Sequence, residues 1–422
     1  MFSFFKDSIK KGNRVYLDHA GATPISESAI RALTSSLLLY GNPSAIHHEG
    51  DDASRVLDKA RATCASVLNA HAYEIYFVGS GTESCNLAIL GTVLGARDWG
   101  LGTSTIPHII TTAIEHPSVL EPIRKLEKEG KVHVTYLPVY EDGTVKLNDM
   151  RDALREETIL VSVMYANNEI GTIQPVKEIG RLLDEWKSAH GRTHKEYPYF
   201  HIDACQAANY CNLDVVRLRA HLMTVNASKV YGPKGVALLY KKEGCRIEPG
   251  VLGGGQERGL RSGTESVALA YSFAVALTEA KDIHEEESKR LRELRDLCRD
   301  ELVKVIPEVT VYGAFDTYKQ QANSNQQMKE EKRLPNNINC RVPGIPSDEM
   351  ILRLDAKGFA VSHKSACASS ETDGSYVIEA LGASKQEALE NIRITLGRST
   401  TRQDILALVQ AMKHIYDSFA KK

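Results

Sequence analysis

The stretch YFHIDACQAANYCNLDVVRLRAHLMTVNASK, residues 199–229, decides the fold. Two compact apolar runs, 199–203 and 222–226, flank a polar connection. Neither alternates as a half-buried strand would, which suits strands covered on both faces. The first ends on Asp203, with Gln206 one turn further on. The second ends on Asn226 and is followed by Ser228 and Lys229. Consecutive buried strands ending on chemistry-bearing side chains point to an open α/β sheet, where ligands bind beyond the carboxyl ends of the strands.

Working outward, the same pattern predicts strands over 74–78, 108–113, 132–138, 159–165 and 236–240. Helices are expected between several of them, among others over 83–96 and 176–188. Strands alternating with helices imply an α/β domain with a mostly parallel sheet of seven strands. The pattern changes near Gly263. Residues 266–305 read as one nearly continuous helix, apolar and then charged, bridging two parts. A smaller α/β domain follows, with a strand near 336–340, a helix over 347–357, a strand over 360–362 and helices over 376–381 and 385–391. The expected division is a large domain over 16–264 and a second unit over 265–422, joined by an N-terminal arm over 1–15. Residues 317–332, polar and rich in Gln, Asn and Lys, read as a mobile surface loop.

Bulk composition excludes several classes. The chain has 422 residues with 42% hydrophobic content, enough for two packed domains. Lys plus Arg is 52 and Asp plus Glu is 54, a net charge of -2, without the basic excess of a nucleic-acid binder. No window approaches a membrane span. The first twelve residues, with three lysines, do not resemble a secretory signal, so a cytoplasmic protein is expected. The eight cysteines are scattered, with no disulfide framework and no zinc spacing, and no metal site is expected. Cys367 stands apart. In Ser365-Ala366-Cys367-Ala368-Ser369-Ser370 its small, polar neighbours suggest an exposed, mobile loop.

The residues after the strands have a common use. Ser80-Gly81-Thr82-Glu83, Glu115-His116, Asn167-Asn168-Glu169, Asp203 with Gln206, and Ser228-Lys229 follow five different strands. Taken singly, each has a plainer role: a helix cap, a turn residue, a surface lysine. Taken together, they make a site for pyridoxal 5'-phosphate (PLP). Gly81 and Thr82 open a helix whose free N–H groups favour a phosphate. Asp203 would pair with the pyridinium nitrogen, so that the ring draws electrons from the substrate. His116 can stack on the ring, and Asn168 and Gln206 can hydrogen-bond its phenolic oxygen. Lys229 is the covalent anchor and, once released, an amine placed to move protons.

With these motifs in order, the chain resembles a cysteine desulfurase of the class V, fold-type I aminotransferase superfamily. The resemblance runs from Tyr16-Leu17-Asp18 to Arg398-Ser399-Thr400-Thr401. It also rests on Gly41-Asn42-Pro43-Ser44, Gly79 to Ser84, Ala166 to Gly171, His201 to Gln206, Lys229 to Gly235, Gly253 to Arg258, Arg261 to Glu265 and Ser365-Ala366-Cys367. It implies a PLP enzyme that converts L-cysteine to L-alanine. Cys367 would receive the sulfur as a persulfide and pass it to an acceptor protein for iron–sulfur clusters or tRNA thiolation. It implies that Arg393 grips the substrate carboxylate with help from Asn42. It also implies a homodimer in which Thr264 reaches the partner's phosphate. Selenocysteine lyase, and a non-catalytic scaffold or regulator with a PLP fold, are the alternatives.

Three departures from the family pattern stand out. Asn226-Ala227-Ser228 lacks the usual histidine before the lysine, although Asn226 and Ser228 can still donate to the phosphate. The early motif Asp18-His19-Ala20-Gly21-Ala22-Thr23 is closer to molybdenum-cofactor sulfurases. His363-Lys364 brings a cation near Cys367, which would favour the thiolate.

Overall fold

The computed structural model describes residues 14–98, 105–193, 195–314, 332–364 and 374–420. Residues 1–13, residues 317–331 of the expected surface loop and Cys367 with its immediate neighbours therefore lie outside the described residues, as do the expectations placed on them. The strands are β1 Val15–Tyr16, β2 Ile75–Val78, β3 His108–Thr112, β4 His133–Leu137, β5 Thr158–Met164, β6 Tyr199–Asp203, β7 Leu222–Asn226, β8 Ala237–Lys241, β9 Thr310–Tyr312, β10 Asn337–Arg341, β11 Phe359–Ala360 and β12 Asn391–Thr395.

Seven of them, β2 to β8, form the central sheet in the order β2-β8-β7-β6-β5-β3-β4. The pairs β3/β4, β3/β5, β5/β6 and β6/β7 are parallel, and β8 runs against both of its neighbours. This is the expected mostly parallel, seven-stranded α/β sheet. Every residue of β2, β3, β5 and β6 is buried, as the unbroken apolar runs require. Because β2, β3, β5, β6 and β7 point the same way, their carboxyl ends fall along one edge.

Inside the sheet runs a buried polar chain. His201 Nδ1 meets Ser162 Oγ at 2.9 Å and its Nε2 meets Thr224 Oγ1 at 3.0 Å. Thr224 Oγ1 in turn meets Ser84 Oγ at 2.8 Å. Burial pushes the imidazole down to about 4, so it is neutral and both nitrogens can be satisfied without charge. The chain fixes the helix Gly81–Asp98 (α1) across the strands below Asp203.

The helix Val267–Val305 (α2), about 58 Å long, serves both cores. Val267, Ala270, Phe273, Leu277 and Ala280 pack with the sheet, whereas Leu291, Cys298 and Leu302 pack with the second core. That second core takes Leu17 from the N-terminal end and Ile392, Ile394 and Leu396 from β12 and beyond, so β1 pairs with β11 of the C-terminal unit. Its three-stranded sheet has the order β12-β10-β9. β12 was not anticipated. The helix expected over 385–391 stops at Ala388, where a Ser384/Glu387 capping box closes a single turn and the chain enters β12.

Among the described residues no helix is long and apolar enough to cross a membrane, and no cluster of His, Cys, Asp or Glu could hold a metal ion.

The loop after β8 is held by a buried ion pair. Arg61 Nη1 and Nη2 donate to Glu257 Oε2 and Oε1 at 2.7 and 2.9 Å, and Glu257 Oε2 also accepts from the Phe77 amide at 3.1 Å. Glu257 has a φ of 47° and Arg258 one of 55°, so the loop is held in an unfavourable backbone region by these bonds. Truncating Arg61 leaves a buried carboxylate unpaired. Arg61→Ala is expected to lose about 3–5 kcal/mol of stability by urea unfolding. A loss below about 1 kcal/mol would show that the pair does not hold the loop.

Candidate active site

The five strand ends meet in one pocket. It is lined by Ala20, Gly21, Gly81, Thr82, His116, Ser118, Met164, Ala166, Asn168, Asp203, Cys205, Gln206, Asn226, Lys229 and Arg393. Eight of the ten residues expected to bind the cofactor are here: Gly81, Thr82, His116, Asn168, Asp203, Gln206, Asn226 and Lys229. Ser228 and Thr264 are not, and Asn42 is not. Arg393 is.

The phosphate end is built by α1. Ser80 Oγ accepts from the Glu83 amide at 3.1 Å, and Glu83 Oε2 accepts from the Gly79 amide at 2.7 Å. Arg261 Nε donates to the same carboxylate at 2.7 Å. These bonds fix the first turn so that Gly81 and Thr82 face the pocket. A Cβ on Gly81 would stand 3.1 Å from Cys205 Sγ and 3.3 Å from Asn226 Nδ2, so a side chain there would crowd the cradle. Ser228 sets the orientation of Asn226. Its hydroxyl and amide both donate to Asn226 Oδ1 at 3.3 Å, which turns the Asn226 amide nitrogen toward Gly81. Thus Ser228 orients a pocket residue without lining the pocket.

His116 caps the helix Pro117–Lys128 (α3), whose proline at the first position suits a helix start. The Ser118 amide donates to His116 Nδ1 at 3.1 Å, so the neutral ring carries its proton on Nε2. Burial pushes the imidazole down, with Lys229 and Arg393 adding to the effect and Asp203 opposing it. Asp203 Oδ1 accepts from the Cys205 amide at 3.0 Å, and Cys85 Sγ lies 3.7 Å from Oδ2. Gln206 Nε2 donates to the Ala20 carbonyl at 2.9 Å, so its amide nitrogen is engaged by the N-terminal turn.

Lys229 follows β7 in a short 3-10 turn, Ala227–Lys229. Its Nζ donates to the carbonyls of Ala20 at 2.7 Å and Gly21 at 2.6 Å. Burial lowers its pKa, and the Arg393 charge lowers it further, although Cys205, Asp18 and Asp203 oppose them. A lowered amine is easier to deprotonate, which both an imine-forming anchor and a base require. These residues fit PLP: a helix start with room for a phosphate, a carboxylate, an aromatic-type ring and an amine, all lining one cavity. When bound there, the cofactor would supply the electron sink that withdraws charge from the substrate's α-carbon.

Asn42 and Thr264 are exposed on their own chain. Asn42 Oδ1 accepts from the Ser44 amide at 3.0 Å in a surface turn, away from Arg393. His363 lies just before the residues that contain Cys367. Burial pushes its imidazole down against the pull of Asp348. Of the remaining cysteines, Cys205 lines the pocket, but burial first and Asp203 second raise its thiol well above the usual range. Cys85 is raised by the same two causes. Both thiols are held protonated and are poor nucleophiles.

Sequence reasoning did not single out Asp18, Cys85 or the backbone carbonyls of Ala20 and Gly21. Asp18 Oδ1 accepts from Arg393 Nη2 at 2.8 Å across 375 residues of chain, a separation no local pattern marks. It also missed the state of Glu115.

The chain is similar to known proteins over nearly its whole length. The family described as "Aminotransferase class-V" matches residues 15–408. "Cysteine desulfurase IscS" of Dictyoglomus turgidum is 37% identical over 404 residues, 96% of this chain and 94% of that protein. "Cysteine desulfurase IscS 1" of Archaeoglobus fulgidus is 36% identical over 403 residues, 95% of this chain and 97% of that protein. Among solved structures, a "NifS-like protein" superposes with a TM-score of 0.83 at 30% identity, covering 96% of this chain and 100% of the other. "SspA in complex with cysteine" gives a TM-score of 0.70 at 29% identity, covering 90% of this chain and 98% of the other. The chain belongs to the class V aminotransferase family. Within that family it stands with the cysteine desulfurases.

Glu115 yields a pH test. Its carboxyl is fully buried, Oε1 accepts from the Met164 amide at 2.9 Å and from Thr112 Oγ1 at 2.8 Å, and Oε2 has no partner. Burial raises its pKa to about 8 despite those two donors. The folded state therefore holds a proton that the unfolded chain, with an ordinary carboxyl, releases near pH 4–5. The stability from the neutral carboxyl is full below that range and is lost as pH rises through about 8. Glu115→Gln mimics the neutral form at every pH. Its stability relative to the native protein should rise from pH 5 to pH 8 by up to about 3–5 kcal/mol in urea unfolding. A flat difference would mean Glu115 ionises normally.

Proposed function

We propose that the protein is a PLP-dependent cysteine desulfurase. It converts L-cysteine to L-alanine and carries the sulfur as a persulfide on Cys367 to an acceptor protein, for iron–sulfur cluster assembly or tRNA thiolation. The observation that carries this reading is the meeting of Lys229, Asp203, His116 and Arg393 around one pocket at five parallel strand ends.

Each residue has a definite task. Arg393 takes the substrate carboxylate through its planar N–H fork. Asp203 supplies the negative charge that keeps the cofactor's ring nitrogen protonated. The Lys229 amine and the His116 imidazole, both lining the pocket, would carry the protons. The Cys367 thiolate bonds to the substrate sulfur while the Cβ–S bond breaks. The bonding pair stays with the substrate carbon, which takes up a proton and becomes the methyl group of alanine.

Thr264 and Asn42, exposed on one chain, are read as contributions to a partner's site in a homodimer. The balanced charge and the free cysteines support a cytoplasmic enzyme.

Two substitutions test the assignment. Lys229→Ala should abolish turnover and the cofactor's near-visible absorbance as purified, because the covalent link is gone. Asp203→Asn should keep the cofactor and lose at least about 100-fold in kcat, since a neutral amide cannot hold the ring proton. A borohydride-reducible cofactor link in Lys229→Ala, or near-native kcat in Asp203→Asn, would overturn the respective role.

A further inference from the structure

Arg393 is partly engaged before any substrate arrives. It lies in β12, is 2% exposed and lines the pocket. Nη2 donates to Asp18 Oδ1 at 2.8 Å, and Nη1 donates to the carbonyl of Asn168 at 3.2 Å. Nε is buried with no hydrogen-bond partner. Part of the guanidinium is therefore spoken for by the protein, and Nε is left open.

Asp18 is held in place by its own surroundings. It follows β1 and bridges to Thr395, two residues from Arg393 on the same strand. A Cβ on Gly21 would collide with Asp18 Oδ2, so a side chain there would displace the carboxylate. The Asp18 side chain is 26% exposed, unlike Arg393, so it meets the guanidinium from the solvent side.

Cysteine and alanine carry the same α-carboxylate. A buried arginine without an internal counter-ion would bind that group strongly, and would hold the product as firmly as the substrate. It would also leave an uncompensated charge whenever the pocket was empty. We infer that Asp18 is a positioning residue that shares Arg393 with the amino acid's α-carboxylate: it orients the guanidinium in the empty enzyme and weakens the grip on alanine so that product leaves. The inference rests on the reading of Arg393 as the carboxylate-binding residue.

Two changes at Asp18 separate charge from orientation. Asp18→Asn keeps the acceptor oxygen and removes the charge. Alanine should then bind the PLP-loaded enzyme about tenfold more tightly, between the effects of surface and buried ion pairs. It is measured by titrating the cofactor's absorbance, and the KM for cysteine should fall in parallel while kcat falls as alanine release slows. Asp18→Ala removes both features and should lower kcat/KM, which Asp18→Asn should not. A merely structural role would weaken alanine and cysteine binding in both variants. That result, or alanine affinity within twofold of native in Asp18→Asn, overturns the inference. Arg393→Gln distinguishes the two failures. If it weakens alanine binding at least about 100-fold while Asp18→Asn changes nothing, only the role of Asp18 falls. If Arg393→Gln leaves alanine binding unchanged, the carboxylate role of Arg393 falls and the inference about Asp18 falls with it.

Discussion

The turn from Asp18 to Gly21 is the constraint on which the site depends. It lies where the two cores meet. Leu17, just before it, belongs to the second core, and the Ala20 amide donates to Thr395 Oγ1 at 3.0 Å. Its carbonyls hold the Lys229 amine from the other side, and the Ala20 carbonyl also takes Gln206. Its carboxylate holds Arg393. One short segment therefore sets the spacing between the amine that anchors the cofactor and the guanidinium that receives the substrate. The amine comes from the large sheet and the guanidinium from the small one. A shift of the second core would separate the two groups, which is how packing far from the pocket enters the chemistry.

The large sheet supplies the other half of the geometry. Five strands running the same way bring side chains from residues 81 to 229 to one edge. The neutral His201 chain across β5, β6 and β7 holds those strands in register without a buried charge. On that frame the electrostatics are divided by environment. Asp203 and Arg393 line the same pocket, Lys229 is lowered by burial, and the thiols of Cys85 and Cys205 are raised. Among the described residues, the thiols of Cys205 at the pocket and Cys85 beside Asp203 are thereby poor nucleophiles.

Much of the fold was legible in the sequence because its signal is local. β6 and β7 fall on the expected residues, since each is a five-residue buried run bounded by polar groups. The other sheet strands differ by one residue at one or both ends. β12 escaped notice even though Asn391-Ile392-Arg393-Ile394-Thr395 alternates, because it abuts a helical turn and all five residues are buried, the polar ones included. The bridging helix was legible as a nearly continuous run over 266–305. The long helix is continuous, and only its packing shows that one half serves each core. At the site, residues that follow strands were found by their position. The bond from Ser228 to Asn226 is invisible in spacing, and Asp18, though part of an early motif, was given no role because its partner is far along the chain.

The most direct test of the central claim is a single turnover. The PLP-loaded protein is mixed with one equivalent of cysteine, quenched, and examined by intact mass, peptide mapping and alanine assay. The account predicts one alanine formed per sulfur atom gained, with that sulfur on the peptide containing Cys367. Absence of alanine, or sulfur carried on the peptide containing Cys205, would contradict it.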